Sequence, residues 1–257
     1  MKKINVNVPC FICGSYESSL LFEFNYDIIQ GNFIIRKCES CGLLFNSPRL
    51  IDDELFKLYG KDYYFFNRSD CDEFKRITSI YLRTIALIDD EIEQKKILEI
   101  GSAKGYLLAL LKYLDWEVQG IEVSPEATQY AVKNFAVPVF NGTVEDYANE
   151  NTAIKYPLIL AIDVIEHVPD PINFISNINK IIEDNGLLII DTPNGGSKNI
   201  ENLGSGWTGF NPFHIYLFSS ENLTLFLKKM GYSIEKVFSY GNRFEKISES
   251  QFAQLKK

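Results

Sequence analysis

The strongest constraint on the fold of this chain is an alternation of strand and helix patterns that begins at residue 95. Apolar runs of strand length occur at 95–100, 116–123, 137–140, 158–162 and 186–190. Segments with helical spacing separate them at 103–113, 125–135, 144–149 and 171–182, and a further helix and strand follow at 219–229 and 232–239. Because strands joined through helices form right-handed crossovers, this order predicts an α/β fold with a parallel, doubly wound sheet.

The first of these strands runs into a glycine-containing loop, ILEIGSAKGYL. In doubly wound sheets, ligands bind beyond the carboxyl ends of the strands. A dinucleotide loop would carry a glycine where Ala103 stands, and Glu99 would repel a phosphate while attracting an ammonium group. Glu122 ends the second strand, where its carboxylate can accept hydrogen bonds from both hydroxyls of a ribose. The pattern therefore predicts a ligand in which an amino acid is linked to a nucleoside.

Two CxxC pairs lie near the start of the chain. They are Cys10 and Cys13 in CFICG, and Cys38 and Cys41 in CESCG. Paired thiolates at this spacing predict a four-cysteine zinc site, which has no open position for chemistry and would stabilise a small structural module. Four ordinary buried cysteines, or a redox pair, are the alternatives. The alternating segments 20–29 and 32–37 predict a zinc-ribbon-like hairpin between the pairs.

These patterns divide the chain into three predicted parts. We expect a zinc-binding module at 1–60, a helical linker or lid at 61–94, and the α/β domain at 95–257. Within the last part, the terminal segment GNRFEKISESQFAQLKK shows no evident closing strand.

Composition limits the classes of function. The net charge of −8 argues against the broad basic surface that nucleic-acid binding requires. No run reaches the roughly 18 apolar residues of a membrane span, and the start, MKKINVNVPC, lacks the apolar stretch of a secretory signal. We therefore expect no nucleic-acid partner and a cytoplasmic location.

Four motifs carry a family resemblance. In order along the chain they are ILEIGSAKG, IEVSPEA, NGTVEDY and LILAIDVIEHVPDP. Together they resemble the motifs of class I S-adenosylmethionine-dependent methyltransferases, and DVIEHV is similar to the ubiquinone-type and sugar-modifying branch. The CxxCG and CxxCGLLFNSPR segments resemble the zinc-binding region that precedes the methyltransferase domain in some sugar C-methyltransferases.

The resemblance implies a set of site residues for S-adenosylmethionine. The implied cofactor contacts are Glu99, Gly101, Ser102, Gly105, Glu122, Val123, Ser124, Thr143, Val144, Glu145, Asp163 and Tyr64. Many relatives carry aspartate at the position of Thr143, where it contacts the adenine amino group; in this chain a backbone carbonyl or Glu145 would replace that contact. Structural zinc would be bound by the four cysteines.

Methyl transfer from a sulfonium depends mainly on alignment, but a hydroxyl acceptor must also lose its proton. The candidate bases are His214, in a long aromatic stretch, and His167, in DVIEHV. His214 resembles a histidine of the sugar-modifying branch that faces the acceptor, whereas a structural or acceptor-positioning role is the alternative for His167. The loop from Gly195 to Pro212 is either a wall of the acceptor site or an aromatic segment that packs on the zinc module.

The predicted function is O-methylation of a nucleotide-linked sugar or surface-glycan precursor, an acceptor that would bear phosphate. Sugar C- or N-methylation is one alternative. Another is a noncatalytic module that binds a partner through the zinc ribbon. A nicotinamide-dependent oxidoreductase is disfavoured because GxGxxG is missing. The sequence leaves the oligomeric state open.

Overall fold

The structure is a computed structural model that describes residues 3–4, 9–26, 31–57, 80–86, 88, 92–240 and 250–256. Tyr64 and most of the predicted 61–94 linker lie outside these residues. The chain divides into two compact units. The first comprises Met1–Leu55, Ala161–Ser176 and Leu188–Lys257, and the second comprises Phe56–Leu160 and Asn177–Leu187. The predicted boundaries near residues 60 and 94 stay predictions.

A seven-stranded sheet confirms the predicted α/β class. Its strands are β6 (Lys96–Ile100), β7 (Glu117–Glu122), β8 (Val139–Asn141), β9 (Tyr156–Ile162), β10 (Ile182–Pro193), β12 (Ser233–Tyr240) and β13 (Ser250–Lys256). Their order is β12-β13-β10-β9-β6-β7-β8. The β6, β7 and β8 strands pair in parallel, which places Glu99 opposite Gly120 and Glu122 opposite Asn141.

The helices follow the predicted alternation. They are α1 (Asp52–Lys57), α2 (80–86), α3 (Tyr106–Tyr113), α4 (Pro125–Phe135), α5 (Val144–Glu150), α6 (Pro171–Ile181), α7 (Lys198–Leu203) and α8 (Ser220–Lys229). Ser124, with Pro125 in the first turn, caps α4, and Ser219 caps α8. These caps satisfy backbone N–H groups that a helix cannot pair internally. No helix in the described parts of the chain is both long and apolar enough to cross a membrane.

The turn between β6 and α3 requires a glycine at position 105. Gly105 has φ +75°, a left-handed conformation that strains other residues. A Cβ atom there would also lie 2.7 Å from Cβ of Ala131 in α4. The backbone at position 105 therefore lies too close to α4 for a residue with a Cβ atom.

A second sheet of four strands lies in the first unit. Its strands are β2 (Ser18–Asn25), β3 (Asn32–Cys38), β4 (Leu44–Asn46) and β11 (Tyr216–Leu217), in the order β11-β4-β3-β2. The predicted hairpin is present, since β2 and β3 pair antiparallel with Ser18 opposite Cys38. β4 pairs with β11, so that Phe45 lies opposite Tyr216. The short strands β1 (Lys3–Ile4) and β5 (Arg49–Leu50) also pair with each other.

The glycine-rich loop that follows β10 packs on this second sheet. Phe210 is 4% exposed, and its ring centroid lies 5.5 Å from that of Phe22 and 6.3 Å from that of Phe24. Trp207, at 1% exposure, stacks edge-on against Phe210 at 4.9 Å. Of the two interpretations of this loop, the structure therefore favours aromatic packing on the hairpin.

The closing strand that the terminal segment does not make evident is present as a degenerate strand, β13 (Ser250–Lys256). β13 pairs antiparallel with β12, from Ser233 opposite Lys256 to Tyr240 opposite Ser250. Its sequence, SQFAQLK, is rich in residues with weak strand propensity, so the local pattern did not indicate a strand. Backbone pairing in the sheet stabilises it nevertheless.

Candidate active site

Two glutamates lie at neighbouring strand ends in the second unit. Glu99, in β6, is 4% exposed, and Glu122, at the end of β7, is 7% exposed. Burial raises the pKa of Glu99 well above its ordinary value, and repulsion from Glu122 adds to the effect. The structure thus brings together the two acids that the sequence selected. A carboxyl in this environment favours a cationic donor, because such a donor would offset the desolvation of the charged form.

Backbone N–H groups fix the orientation of the Glu122 carboxylate. One oxygen accepts from the N–H of Ala103 at 2.8 Å, and the other accepts from the N–H of Ser124 at 2.8 Å. Burial raises the pKa of Glu122, while these bonds and one from the N–H of Val123 lower it. Each carboxylate oxygen accepts about two hydrogen bonds, so acceptor capacity remains for a ligand.

The glycine loop carries two polar atoms that suit a ligand. Ser102 is 2% exposed. Among the described residues, its Oγ and the Oε2 atom of Glu99 are buried without a hydrogen-bond partner. Buried polar atoms are normally paired, and those that are not often mark a binding site. Gly101 begins the loop with φ +73° and donates its N–H to the carbonyl of Ile121 at 2.8 Å.

The third motif, NGTVEDY, contains the residue that caps α5. Thr143 is the N-cap of α5 and forms a capping box with Asp146. Its hydroxyl donates to Asp146 at 2.6 Å and accepts the Asp146 N–H at 3.1 Å. Val144 is buried and Glu145 is exposed. The contacts predicted from these three residues to adenine stay predictions.

The fourth motif lies in the first unit. Asp163 follows β9, is exposed, and has φ +52°, a left-handed value that asparagine and aspartate tolerate better than most residues. Its N–H donates to the carbonyl of Asp191 at 2.8 Å. A short 3-10 helix then spans Ile165–His167. This turn brings Glu166 and His167 into one cluster with His214.

The two histidines face each other. Their ring centroids lie 4.8 Å apart, at an interplanar angle of 71°. Nδ1 of His167 lies 3.0 Å from the carbonyl oxygen of Phe213, and Nδ1 of His214 lies 2.8 Å from that of Gly209. Carbonyl oxygens accept, so each Nδ1 carries the proton and each Nε2 has the lone pair. Burial lowers the pKa of His167 to about 4, and burial with the nearby His167 lowers that of His214 to about 3.

Glu166 completes this cluster and was not selected from the sequence. It is 0% exposed, and one carboxylate oxygen accepts the hydroxyl of Thr192 at 2.8 Å. The other, Oε1, lies 3.8 Å from Nε2 of His167 and has no hydrogen-bond donor in the described parts of the chain. Burial raises the pKa of Glu166 well above its ordinary value, and repulsion from Asp163 adds to it. Glu166 differs from a solvent-exposed glutamate only in its burial, and the local sequence does not indicate that burial.

Asn46, also missed by sequence reasoning, positions the segment that carries His214. Its side-chain amide donates to the carbonyl oxygens of His214 at 2.6 Å and Asn211 at 2.9 Å. The N–H of Ile215 donates to the carbonyl of Glu166 at 2.7 Å. The N-terminal sheet therefore helps to hold the histidine cluster in place. A lone buried asparagine carries no periodic signal by which it could have been found.

The four paired cysteines cluster as the sequence predicts. Sγ of Cys10 lies 3.6 Å from that of Cys41, and Sγ of Cys13 lies 3.5 Å from that of Cys38. In a tetrahedral zinc site, sulfur atoms lie about 3.8 Å apart. All four are free thiols within 4.8 Å of one another. The geometry fits a zinc ion and does not require a disulfide.

Two glycines shape the backbone around these sulfur atoms. Gly14 and Gly42 follow the second cysteine of each pair and have φ +79° and +75°. Burial raises the pKa of the Cys38 thiol, but the backbone N–H groups of Cys41 and Ser40 outweigh this effect and lower it. The turns thus direct amide hydrogens toward sulfur.

Comparison with known proteins assigns this chain to a family. The sequence model of a methyltransferase domain matches residues 72–237. The chain is 30% identical over 137 residues to a ubiquinone biosynthesis O-methyltransferase of Glaesserella parasuis, covering 49% of this chain and 58% of that protein. It is 28% identical over 108 residues to one of Actinobacillus pleuropneumoniae, covering 39% and 46%. The chain thus spans about half the length of the curated relatives it matches.

Solved structures show the same fold. A methyltransferase from Archaeoglobus fulgidus, described as SAM dependent, superposes with a TM-score of 0.60 at 18% identity, covering 76% of this chain and all of that one. Magnesium protoporphyrin IX methyltransferase from Synechocystis superposes with a TM-score of 0.54 at 16% identity, covering 72% and 83%.

The burial of Glu99 predicts a pH-dependent cost to stability. Because its pKa is raised in the folded chain, the stability it contributes is complete below its unfolded pKa of about 4.3 and is lost as the pH rises toward the folded pKa. Glu99→Gln cannot ionise. As the pH rises, the free energy of unfolding of Glu99→Gln should therefore increase relative to that of wild type, by at most about 1.4 kcal/mol per pH unit.

Urea unfolding of the cofactor-free protein between about pH 5 and pH 8 measures this difference. Glu145→Gln, which makes the same change at an exposed site, serves as the control for the substitution itself. A pH-independent difference between Glu99→Gln and wild type would contradict the raised pKa of Glu99.

Proposed function

The chain belongs to the methyltransferase domain family, and from that premise we propose that it transfers the methyl group of S-adenosylmethionine to a polar small molecule. The observation that carries the proposal is the pair of buried glutamates at the ends of β6 and β7, beside a glycine loop. Both acids are less than 10% exposed. This arrangement suits a ligand that is cationic at one end and carries hydroxyl groups at the other.

The methionine part of the cofactor fits the glycine loop. Its ammonium group would donate to Glu99, whose Oε2 atom has no donor among the described residues. Ser102 Oγ, which is likewise buried and unpaired there, would bind the carboxylate end as a donor. The ammonium charge would offset the repulsion between Glu99 and Glu122, which in turn would favour the ionised form of both acids.

The ribose fits Glu122. Its two oxygens each accept one backbone N–H, which holds the carboxylate rigid and leaves further lone pairs for two hydroxyl groups. Val123 and Ser124 continue from the same strand end and would lie beside the adenine, with Thr143, Val144 and Glu145 at the other edge. A backbone group would replace the aspartate contact that many relatives have at the position of Thr143.

The proposed acceptor atom is an oxygen. The bound cofactor supplies the electrophilic methyl group, and the protein must align the acceptor and deal with its proton. His167 and His214 are neutral at pH 7 because burial lowers their pKa values, so each ring can accept a hydrogen bond from a hydroxyl. The matched relatives are named O-methyltransferases, which supports the choice of oxygen.

Within that class we propose a nucleotide-linked sugar or a surface-glycan precursor. The support is the four-cysteine cluster at the N-terminus, which resembles the module that accompanies sugar-modifying methyltransferases. A phenolic quinone precursor is the second candidate, because the relatives matched by sequence are ubiquinone biosynthesis enzymes.

The zinc site is proposed to be structural. The four thiols are close enough for one ion and leave no open coordination position. The ion would hold the ends of the hairpin together, since Cys10 and Cys13 precede β2 while Cys38 ends β3 and Cys41 follows it. Small modules bury little core and commonly depend on such an ion.

Glu122→Gln should weaken S-adenosylmethionine binding by about 1.5 to 3 kcal/mol, because a charged acceptor of ribose hydroxyls is lost. Calorimetric titration with S-adenosylmethionine and S-adenosylhomocysteine measures this loss, with NAD as a ligand that should not bind. Glu117→Gln is the matched control, since Glu117 lies in the same strand with a side chain that is 73% exposed. Unchanged affinity in Glu122→Gln would place the ribose elsewhere.

The thiolate site should be visible when cobalt replaces zinc. Cobalt added to the metal-free protein should give the strong ultraviolet charge-transfer bands of thiolate coordination, and Cys13→Ser with Cys41→Ser should abolish them. Loss of zinc should lower the melting temperature of the protein. Wild-type protein without such bands would contradict the four-cysteine site.

An acceptor screen tests the substrate class. S-adenosylmethionine with an isotopically labelled methyl group is incubated with nucleotide sugars and with a catechol, and the product carbon is identified by NMR. A methoxy signal on a sugar is the expected result. A methyl group on carbon or nitrogen, or transfer to the catechol alone, would overturn the proposed acceptor, and Glu122→Gln serves as the low-activity control.

A further inference from the structure

One face of the four-stranded sheet in the first unit forms the floor of a cavity of about 540 Å³. Side chains alternate between the two faces of a strand, so Ile34 and Arg36 of β3 lie on one face while Phe33 and Ile35 lie on the other. Phe33 and Ile35 are 0% exposed, whereas Ile34 and Arg36 are half-buried and line the cavity. The volume lies within the range that is usual for small-molecule sites.

A row of three side chains crosses this floor. Tyr216 of β11 lies opposite Phe45 of β4, and Phe45 lies opposite Arg36 of β3. Directly opposed residues share a face of the sheet, with Cβ atoms about 4.5 to 5.5 Å apart. Two half-buried aromatic rings therefore lie beside a guanidinium group. Phe11, which forms part of the cavity wall, packs edge-on against Tyr216 with 4.9 Å between the ring centroids and so restricts that ring.

The guanidinium of Arg36 is held in place from one side. Its Nε donates to the hydroxyl of Ser18 at 3.0 Å, and its Nη2 donates to the carbonyl oxygen of Ser18 at 2.8 Å. Nη1 has neither a hydrogen bond nor an ion pair with any residue that the structure describes. Because arginine carries five N–H donors in one plane, donors remain for the oxygen atoms of a ligand.

Glu17 lines the same cavity and supplies acceptors. Its side chain is exposed, and within the described ranges its carboxylate has no hydrogen bond and no ion pair, so it does not pair with Arg36. The hydroxyl of Tyr216 likewise has no hydrogen-bond partner in the described part of the chain. The cavity thus offers a donor, an acceptor and a hydroxyl group that can act as either.

The charges around the cavity disfavour an ionic ligand. Arg36 repels a cation, and Glu17 repels an anion. Cys10 and Cys38 also line the cavity, and a zinc ion bound by four thiolates would add net negative charge there. The lining is therefore suited to a neutral ligand that donates, accepts and has an apolar face for the aromatic rings. A sugar ring has this chemistry, because C–H groups cover its faces and hydroxyl groups surround its edge.

We propose that this cavity binds a neutral sugar unit of a glycan. The ring would stack on Phe45 and Tyr216, its hydroxyl oxygens would accept from Arg36, and another hydroxyl would donate to Glu17. With a surface-glycan acceptor, which rests on the function proposed above, this sugar would be a different unit from the one that receives the methyl group. The binding of a sugar here does not itself rest on that function.

Saturation-transfer-difference NMR on the zinc-loaded full chain tests the proposal. The probes are the methyl glycosides of glucose, galactose, mannose and N-acetylglucosamine, all of which are neutral. At least one should bind, with a Kd of about 1 mM, because a single sugar unit makes few contacts. The methyl glycosides of glucuronic acid and glucosamine, which carry a negative and a positive charge on a similar ring, should bind more weakly.

Three variants locate the binding site. Tyr216→Phe keeps the ring but removes the hydroxyl group, and it should raise the Kd about threefold to tenfold; Glu17→Gln should raise it by a similar factor. Arg36→Gln should raise it about tenfold or more, because a charged donor is lost. The controls are Glu39→Gln and Lys37→Gln, which change exposed residues that do not line the cavity and should bind as wild type does. The melting temperature of each variant checks that it is folded.

The proposal is overturned if no neutral glycoside shows saturation transfer or if a charged glycoside binds more tightly. Wild-type affinity in Tyr216→Phe, Glu17→Gln and Arg36→Gln alike would overturn it too. None of these readouts needs a cofactor. Methyl transfer by a protein that binds no glycoside would refute the cavity site alone, while glycoside binding without any methyl transfer would refute only the proposed function.

Discussion

The pairing of β4 with β11 is the interaction on which the arrangement of the first unit depends. It joins a strand of the cysteine hairpin, Leu44–Asn46, to Tyr216–Leu217, immediately after His214. Asn46 extends the connection by donating to the carbonyl oxygen of His214. Because the backbone of Ile215 also binds that of Glu166, the fourth motif, the histidine and the hairpin form one hydrogen-bonded network. The cysteine module is therefore part of the scaffold of the histidine cluster rather than an appendage.

Both candidate centres rest on buried acids. Glu99 and Glu122 in the second unit and Glu166 in the first are each less than 10% exposed, and burial raises the pKa of all three. A core made only for stability would not retain such groups, since a buried carboxyl costs free energy unless it is paired. Each acid becomes favourable once a donor or a cation binds. In the proposed methyltransferase function, the free energy that the burial of Glu99 and Glu122 costs would be offset when the cofactor binds to carboxyl groups already in position.

Features with a local signature were predictable from the sequence. The glycine loop, Glu99 and Glu122 near the ends of their strands, and the cysteine pairs all depend on spacing within a few residues. Glu166, Asn46 and β13 were not predictable, because their roles depend on partners far away in the chain. Asn46 and His214 are separated by 168 residues. The loop that contains Trp207 and Phe210 had two interpretations until its neighbours, Phe22 and Phe24, were known.

The long separation between β4 and β11 affects the chain while it is being synthesised. The hairpin strands β2, β3 and β4 can pair as soon as residue 46 has left the ribosome, but the partner at the open edge of β4 ends at Leu217. At a synthesis rate of about 5 to 20 residues per second, that edge stays unpaired for on the order of ten to thirty seconds. An unpaired edge can join other chains. Nascent chains translated from the same mRNA are thus at risk of associating through β4. Chaperone binding at this edge would matter most during that interval.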